Sequence, residues 1–340
     1  MTAAIRARAP LRVSFAGGGT DVPPFPQREG GAVLSATINR YAFASLRARA
    51  DREIRVDSLD FASGIKFGID EPVAFDGDLD LAKAAIRRLV RHSVGGFDIS
   101  LHSNAPPGSG LGSSSAMVVA LVGVLHSYYG VPLTPYEIAN IACLVEREDL
   151  GIAGGLQDQY AAAFGGFNYI EFEADHVVVN PLRVDEETVR ELEFRLVLAY
   201  TGRTRQSDGI IADQVQRFET GVESSMQALR AQRALAKSMK DALLRHQLDD
   251  IGEMLHEAWV YKQMMSPRIS TPFIAEAYEE ARSAGAIGGK VTGAGGGGYM
   301  IFYCADGTTH RVAEALVKCG LMVTDFGFSK QGVVAWRSNR

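Results

Sequence analysis

The sequence predicts a two-domain protein of mixed α and β structure. The chain has 340 residues, which is about twice the usual size of one domain. Its first half reads as strands followed by helices, whereas its second half begins with a long polar helical stretch and ends in a smaller group of strands. Hydrophobic residues make up 46% of the sequence and charged residues 22%, a balance typical of globular proteins with real apolar cores.

The first half contains both strand-like and helical segments. Residues 12–16, 41–46, 54–56 and 97–101 have the composition of strands, with short turn clusters between them. Apolar residues in 81–92 recur at helical spacing and leave a basic outer face, which predicts a helix. Glycine and serine then crowd into 106–115. The apolar run 116–129 that follows predicts a buried helix ending at Gly130.

Another helix is predicted to begin at Thr134, because Thr134 can cap it and Pro135 suits its first position. Farther along, residues 217–255 are polar and helical in period. The last third of the chain predicts strands at 288–291, 299–303 and 321–323 and a helix at 309–318. This pattern indicates a smaller α+β unit, and we predict domains at 1–195 and 196–340.

Charge and cysteine content narrow the class of protein. The net charge is −5, without a basic block, so we expect no nucleic-acid or anionic-membrane partner. Cys143, Cys304 and Cys319 form neither a CxxC pair nor a metal-binding spacing, and such a sparse set suits a reducing compartment. No stretch approaches the roughly 18 apolar residues of a membrane span. We therefore expect a cytoplasmic monomer or homodimer that acts on small molecules.

The strongest local signal is a turn rich in glycine and serine between a predicted strand and the apolar helix. Glycines permit close approach of the backbone to a ligand, and the start of a helix offers free N–H groups to an anion. The alternative is an ordinary turn with a serine N-cap. The spacing matches neither the Walker A motif nor the Rossmann fingerprint. The predicted phosphate-binding residues are Pro107, Gly108, Ser109, Gly110, Leu111, Gly112, Ser113, Ser114 and Ser115.

A second glycine cluster lies between two strands predicted in the second half. Each of the consecutive glycines 295–298 loses roughly 0.5–1 kcal/mol of backbone entropy relative to alanine, so we expect a compensating role. The loop either approaches a phosphate or the first glycine loop, or it is a loose hairpin connection. The residues predicted to close the site are Gly293, Gly295, Gly296 and Gly297.

Two charged residues occupy unusual positions. Asp158 follows Gly154 and Gly155 at a predicted helix start, where a carboxylate can cap the helix or take part in chemistry. Arg12 is the single charge in an otherwise apolar strand, and such a charge is solvated or paired. The residues alone leave both pairs of alternatives open.

In their order along the chain, these segments resemble the GHMP kinase superfamily, which includes galactokinases, homoserine kinases and mevalonate kinases. The central family motif P-x-G-x-G-L-G/S-S-S is similar to residues 107–115, and a glycine-rich C-terminal connection is similar to 291–298. The resemblance implies an α+β fold with an N-terminal ribosomal-S5-like β/α domain and a C-terminal ferredoxin-like domain. It also implies ATP as a cofactor and phosphoryl transfer to a hydroxyl group.

Two segments resemble those of galactokinases more specifically. Residues 10–21 are similar to the galactokinase strand P-G-R-V-N-L-I-G-E-H-T-D, and residues 155–159 are similar to the segment G-x-M-D-Q. The resemblance implies that Arg12 and Asp158 are catalytic and that Asp21 binds the sugar. It also implies that the phosphoryl acceptor is an anomeric hydroxyl.

The resemblance further implies a Mg²⁺ site formed by Ser114, or a neighbouring serine, and Glu146. Glu146 lies twelve residues before Asp158, as the metal-binding glutamate of the family precedes its aspartate. Glu148 is a nearby alternative. Hydroxyl and carboxylate oxygens are the ligands that Mg²⁺ prefers.

The chain departs from galactokinases at Gly18 and Gly19, where that family has a Glu-His pair. The missing acidic side chain leaves space and removes repulsion toward an anion, so a substrate with a larger, negatively charged end fits. Residues 17–23 and 154–160 are similar to D-glycero-D-manno-heptose 7-phosphate kinases, which form the 1,7-bisphosphate. The predicted substrate-binding residues are Gly17, Gly18, Gly19, Thr20, Asp21, Gln157, Arg203 and Arg205.

The sequence leaves alternatives open for two arginines, for the substrate and for the class of protein. Arg203 and Arg205 either grip a substrate phosphate with bidentate geometry or are solvated loop residues that contribute little. The substrate is either the heptose phosphate or an unphosphorylated sugar, as in fucokinases and galactokinases. An alternative of another class is a sugar sensor with this fold and no turnover.

Overall fold

The computed structural model describes residues 4–90, 95–203 and 208–338, which form two sheets with helices packed against them. The first sheet is organised around the long strand β2 (Gly31–Ala48). The other strands of this sheet are β1 (Ala4–Ala16), β3 (Glu53–Ser58), β4 (Ser63–Gly68), β5 (Phe97–Ser103), β6 (Phe167–Phe172), β7 (Val177–Pro181) and β12 (Val334–Ser338).

The strand β2 pairs with β1 along one edge, and at its other edge it pairs first with β6 and then with β5. The helices of this half are α1 (Phe25–Glu29), α2 (Asp80–Leu89), α3 (Ser113–Tyr129), α4 (Pro135–Leu144), α5 (Gln157–Phe164) and α6 (Glu186–Arg195), with a π-helical turn at Val145–Asp149. Helix α3 is apolar around most of its surface and is buried against β1, β2 and the helices α2, α4 and α5.

The second sheet contains β8 (Leu196–Tyr200), β9 (Ala286–Val291), β10 (Tyr299–Cys304) and β11 (Met322–Val323), in the antiparallel order β11-β8-β10-β9. Its helices are α7 (Asp208–Glu219), α8 (Glu223–Leu244), α9 (Leu248–Met265), α10 (Pro272–Ala284) and α11 (Thr309–Lys318). The succession of strands and helices is that of a ferredoxin-like unit. Helices α8 and α9 also contact β1, so they join the second half to the first.

The prediction of a two-domain α+β fold is confirmed. The predicted strands of the first half lie within β1, β2, β3 and β5, and Thr134 caps α4 in a capping box with Glu137. The polar stretch 217–255 spans the end of α7, all of α8 and part of α9, with short breaks between the helices. No helix in the described ranges has both the length and the apolar character needed to cross a bilayer.

The predicted division between residues 195 and 196 falls at the junction of α6 and β8. The last strand, β12, leaves the second half and pairs antiparallel with the outer edge of β1. Its residues therefore belong to the first sheet, although the predicted second domain runs to residue 340. Sequence pattern alone cannot reveal this return, because it does not specify which strand edge a segment pairs with.

Candidate active site

A cavity of about 500 Å³ lies where the two halves of the chain meet. Its walls are the end of β1, the loop before α3, the π-helical turn and the start of α5, together with parts of α7, α9 and β9. It brings together many predicted site residues: Arg12, Gly18, Gly19, Asp21, Pro107, Gly108, Gly110, Gly112, Ser113, Ser114, Ser115, Glu146, Gln157, Asp158 and Gly293.

Arg12 and Asp158 form an ion pair in this cavity. The Nε and Nη2 atoms of Arg12 each lie 2.7 Å from Asp158 Oδ1. Nη1 donates to the carbonyl oxygens of Gly110 at 2.7 Å and Thr292 at 3.2 Å. The buried guanidinium therefore ties β1 to α5 and to both glycine loops. Leu156 occupies the N-cap of α5 without a side-chain hydrogen bond, so the capping role considered for Asp158 is wrong.

The second carboxylate oxygen of Asp158 faces the first glycine loop. A Cβ atom built on Gly112 would lie 3.0 Å from Oδ2, and no described side chain or backbone N–H donates to Oδ2. This oxygen is therefore an acceptor beside the loop, while the other oxygen is held by Arg12.

The first glycine loop has the backbone shape expected of a phosphate-binding loop. Gly108, Gly110 and Gly112 have φ values of 72°, 84° and 72°. Residues other than glycine rarely adopt this backbone conformation. Helix α3 starts at Ser113, directly after these glycines. Its first N–H groups have no partner within the helix, and Ser113 and Ser114 line the cavity. The loop can therefore offer several N–H donors and hydroxyls to an anion.

The second glycine loop packs against the first. Tyr299 N donates to Ser109 O at 2.8 Å, and Thr292 Oγ1 donates to Gly110 O at 3.1 Å. A Cβ atom on Gly293 would lie 2.6 Å from the Cα atom of Gly110. The expected close approach of the two loops is thus confirmed, and the loose hairpin alternative is wrong.

Several predicted residues shape the loops and do not line the cavity. Leu111 is buried, and its carbonyl accepts from Arg12 N at 3.0 Å. Cβ atoms on Gly295 and Gly297 would lie 2.9 Å from Ile269 Cα and 2.9 Å from Arg203 O respectively. Gly296 N donates to Ile269 O at 2.7 Å. These glycines allow the loop to cross neighbouring backbone closely.

Glu146 is a buried carboxylate carried by the π-helical turn. Ser115 Oγ lies 3.0 and 2.9 Å from its two oxygens, and Gln159 Nε2 donates to Oε2. Burial raises the pKa of Glu146 above its ordinary value, and the guanidinium of Arg147, at 3.9 Å, offsets this only in part. The charge of this carboxylate is therefore only partly compensated by Arg147.

Of the alternatives for the metal ligands, Glu148 is exposed and pairs with Arg88 at 3.2 Å. It is not among the residues that line the described cavity. Ser114 is exposed at the cavity wall, whereas Ser115 makes the contact with Glu146. The geometry thus favours Glu146 over Glu148 and adds Ser115 to the predicted Ser114.

Asp21 lies at the other side of the cavity, in the turn after β1. Its Oδ1 accepts from Gly19 N at 3.1 Å, and its Oδ2 accepts from Gln157 N at 3.1 Å and Gln157 Nε2 at 3.2 Å. Gly155 leaves space for this carboxylate, since a Cβ there would lie 1.9 Å from Oδ2. The turn and the start of α5 therefore hold Asp21 firmly toward the cavity.

Lys262 and Lys290 are two cavity residues that the sequence analysis missed. Both are buried, and Lys290 Nζ donates to Ser14 O at 2.7 Å. Burial lowers the pKa of Lys262 to about 8 and that of Lys290 well below its usual range. Lys290 could have been noticed as a charge inside an apolar strand, by the reasoning applied to Arg12. Lys262 lies on α9, outside the segments that the sequence analysis singled out.

The structure does not bring Arg203 to the cavity. Arg203 is exposed, and its guanidinium carbon lies 4.9 Å from the ring centre of Phe273, so it makes a surface stacking contact. Arg205 lies outside the described residues. The two-arginine phosphate clamp therefore has no support from the geometry of Arg203.

Gly17 and Thr20 shape the turn that presents Gly18. Thr20 Oγ1 donates to Gly17 O at 2.8 Å, and Gly17 has φ of 86°. We predict that Gly17→Ala lowers the free energy of unfolding by on the order of 3 kcal/mol, because its Cβ would lie 1.9 Å from Ala32 O. Gly18→Ala is the matched control, since its nearest contact would be 3.5 Å. Equal midpoints of urea denaturation for both variants would contradict this account.

A second cavity of about 570 Å³ adjoins the first glycine loop. Its lining is mainly apolar and includes Phe75, Leu79 and Met117. Pro107 and Ser114 line both cavities. The two cavities therefore meet at the loop.

Comparison with known proteins agrees with this geometry. Residues 80–166 match the GHMP kinases N terminal domain, and residues 239–320 match the GHMP kinases C terminal family. The chain is 39% identical over 337 residues to D-glycero-alpha-D-manno-heptose 7-phosphate kinase of Campylobacter jejuni, with 98% of this chain and 99% of that protein covered. The chain belongs to the GHMP kinases. As a GHMP kinase, it is an ATP-dependent phosphotransferase.

Solved structures of other GHMP kinases extend the similarity to the fold. A D-glycero-D-manno-heptose 1-phosphate kinase from Bacteroides thetaiotaomicron superposes with a TM-score of 0.83 at 34% identity, over 99% of this chain and 100% of that one. A putative sugar kinase from Campylobacter jejuni has a TM-score of 0.81 at 38% identity, with 98% of each chain covered. The described fold is therefore common to this GHMP kinase and these proteins.

Proposed function

We propose that this GHMP kinase transfers the γ-phosphoryl group of ATP to the C1 hydroxyl of D-glycero-D-manno-heptose 7-phosphate, forming the 1,7-bisphosphate. The chain is a sugar kinase, and the heptose phosphate is the specific substrate of the proposal. The observation that carries it is the Arg12–Asp158 pair, which stands between the first glycine loop and the Asp21 side of the cavity.

Asp158 is the general base that accepts the proton of the sugar hydroxyl. The C1 oxygen attacks the γ-phosphorus of ATP, and the bond between this phosphorus and the β–γ bridging oxygen breaks. ADP leaves with the electron pair of that bond, while the hydroxyl proton passes to Asp158 Oδ2. Arg12 holds Oδ1 at 2.7 Å and stabilises negative charge on the transferred group. Such reactions depend mainly on positioning and electrostatic stabilisation.

ATP is bound by the loop and the two cavities around it. The N–H groups of the loop and of the first turn of α3 suit its phosphates. The apolar second cavity, lined by Phe75, Leu79 and Met117 and open to the loop at Ser114, suits the nucleoside. Asp21 and Gln157, on the opposite side, are left to bind the sugar.

The residues around Glu146 fit a Mg²⁺ ion. Glu146, Ser114 and Ser115 would hold it, because they supply oxygen ligands of the kind Mg²⁺ prefers. The pKa of the buried Glu146 carboxyl stays raised although Arg147 lies 3.9 Å away, and Gln159 Oε1 is buried without a hydrogen-bond partner in the described structure. When bound, Mg²⁺ would neutralise charge on the ATP phosphates.

The choice of sugar rests on the relatives and on the cavity. The relative from Campylobacter jejuni is named a heptose 7-phosphate kinase, and the structure from Bacteroides thetaiotaomicron is named a heptose 1-phosphate kinase. These names agree on a phosphorylated heptose and differ in the position of its phosphate. We favour the 7-phosphate because the segment 10–21 is similar to that of kinases acting at C1.

An assay of ADP release tests the proposal. The purified protein is given MgATP with heptose 7-phosphate, heptose 1-phosphate, mannose, fucose, galactose or mevalonate. We expect kcat/KM for heptose 7-phosphate to exceed that for each other compound by at least about 100-fold. Turnover of free sugars alone would contradict the phosphorylated substrate, and turnover of heptose 1-phosphate alone would contradict transfer to C1. No ADP release with any compound would favour the sensor alternative.

A further inference from the structure

Lys262 is a buried cation that α9 carries to the wall of the first cavity. The residue is 4% exposed, and its ammonium group has no hydrogen-bond or ion-pair partner among the residues that the structure describes. Burying an ammonium group without a partner is unfavourable. Since Lys262 lines the cavity, an anion bound there is a partner that the protein can acquire.

The space beside Lys262 is left open by Gly18. A Cβ atom on Gly18 would lie 4.0 Å from Lys262 Nζ, 3.8 Å from Gln157 Nε2 and 3.5 Å from Ser14 Oγ. Ser14 Oγ is buried without a hydrogen-bond partner in the described ranges. All three groups can donate hydrogen bonds. Three donors therefore surround a single volume that a larger residue at position 18 would occupy.

The distance from this volume to the Arg12–Asp158 pair, where phosphoryl transfer is proposed to occur, matches the length of a seven-carbon sugar. Arg12 marks the reacting end of the cavity, because it holds Asp158. Ser14 follows Arg12 by two residues on β1, so their side chains share one face of the strand and stand about 7 Å apart along it. A seven-carbon sugar spans a comparable distance between its C1 hydroxyl and its far end.

Three charged residues lie near Lys262, namely Asp21, Arg12 and Lys290. Burial and the nearby Arg12 lower the pKa of Lys262, whereas Asp21 raises it. The net result is a pKa of about 8. Lys290 is the other cation near Lys262, and its own pKa is depressed by burial, Lys262 and Arg12. Asp21 is engaged by N–H groups of Gly19 and Gln157. At neutral pH, Lys262 therefore remains mostly protonated and able to hold an anion.

We propose that Lys262, assisted by Gln157 and Ser14, binds the phosphate group carried by the sugar and makes the enzyme specific for a phosphorylated substrate. This inference rests on the proposed function, since it takes a sugar phosphate as the substrate. It assigns to Lys262 the part that sequence analysis gave to Arg203 and Arg205.

Calorimetric titration without ATP tests the role of Lys262 independently of turnover. The probes are D-glycero-D-manno-heptose 7-phosphate and unphosphorylated D-glycero-D-manno-heptose. We expect Lys262→Met to weaken binding of the phosphate ester roughly 10- to 100-fold, the usual effect of losing a charge-assisted hydrogen bond, and to change binding of the free sugar less than about 3-fold. Lys237→Met, at an exposed position on α8, is the matched control and should bind both probes as the wild type does.

The outcomes separate the two proposals. Equal losses for both probes, or a wild type that binds the free sugar as tightly as the ester, would overturn the role of Lys262. Failure of turnover with an intact preference for the ester would instead overturn the proposed function. A second variant, Gly18→Asp, brings a carboxylate to Lys262 and should likewise reduce ester binding. In the wild type, the preference for the ester should fall above pH 8, whereas Lys262→Met should show no such fall.

Discussion

Replacing Asp158 with asparagine should reduce kcat by about three orders of magnitude, within the range for loss of a general base. Asparagine keeps the shape of the side chain but cannot accept the hydroxyl proton at the oxygen that faces Gly112. Binding of ATP and sugar should change little, because the loops and Asp21 remain in place. Arg12 loses its counter-charge but retains its bonds to two carbonyl groups, so we expect only about 1–3 kcal/mol of destabilisation. Steady-state kinetics and thermal unfolding measure both effects.

Asp185→Asn is the control for this substitution. Asp185 is exposed and caps α6 through Thr188 N at 2.8 Å, and asparagine caps helices equally well. This variant should keep wild-type kinetics and stability. Wild-type kcat in Asp158→Asn, with a folded protein, would remove Asp158 from the mechanism.

Replacing Glu146 with glutamine should raise the Mg²⁺ concentration needed for half-maximal activity by at least about 10-fold. Glutamine preserves the volume of the side chain and its contacts with Ser115 and Gln159, but it removes the negative charge that a cation requires. The variant should be as stable as the wild type or more stable, because burial disfavours the charge of Glu146 and Arg147 compensates it only in part. A Mg²⁺ titration of activity and a thermal unfolding curve test these two effects.

Glu148→Gln is the matched control, since Glu148 is two residues away in the chain but is exposed and pairs with Arg88. Its Mg²⁺ dependence should equal that of the wild type. If Glu148→Gln shifted the Mg²⁺ dependence and Glu146→Gln did not, the alternative ligand raised by the sequence would be the correct one.

Arg12, Asp158 and the two glycine loops were predictable because local sequence carries their signal. Arg12 stands out as a charge in an apolar strand and Asp158 as an acid among glycines at a helix start, and the resemblance to galactokinases then implied their catalytic role. The glycines at positions 108, 110 and 112 are required by positive φ angles, and Gly293 is required by the close approach of the loops. Such constraints are properties of short segments and can be inferred without the fold.

Lys262, Arg203 and β12 were not predictable, because their roles depend on long-range packing. Lys262 reaches the cavity because α9 packs against β1 and β9, and nothing in the local pattern of α9 indicates this. Arg203 looked suited to bind a phosphate, yet it stacks on Phe273 at the surface. Strand β12 returns to β1 from the end of the chain. In each case the role depends on which surface the helix, loop or strand packs against. The hydrophobic periodicity of the sequence does not specify that surface.

The most direct test of the proposed reaction is the position of the new phosphate in the product. Heptose 7-phosphate is converted with MgATP and the wild-type enzyme, and the product is examined by phosphorus and carbon NMR. We predict a second phosphorus coupled to C1, loss of the reducing end and retention of the phosphate at C7. A new phosphate coupled to any other carbon would contradict transfer to the anomeric hydroxyl.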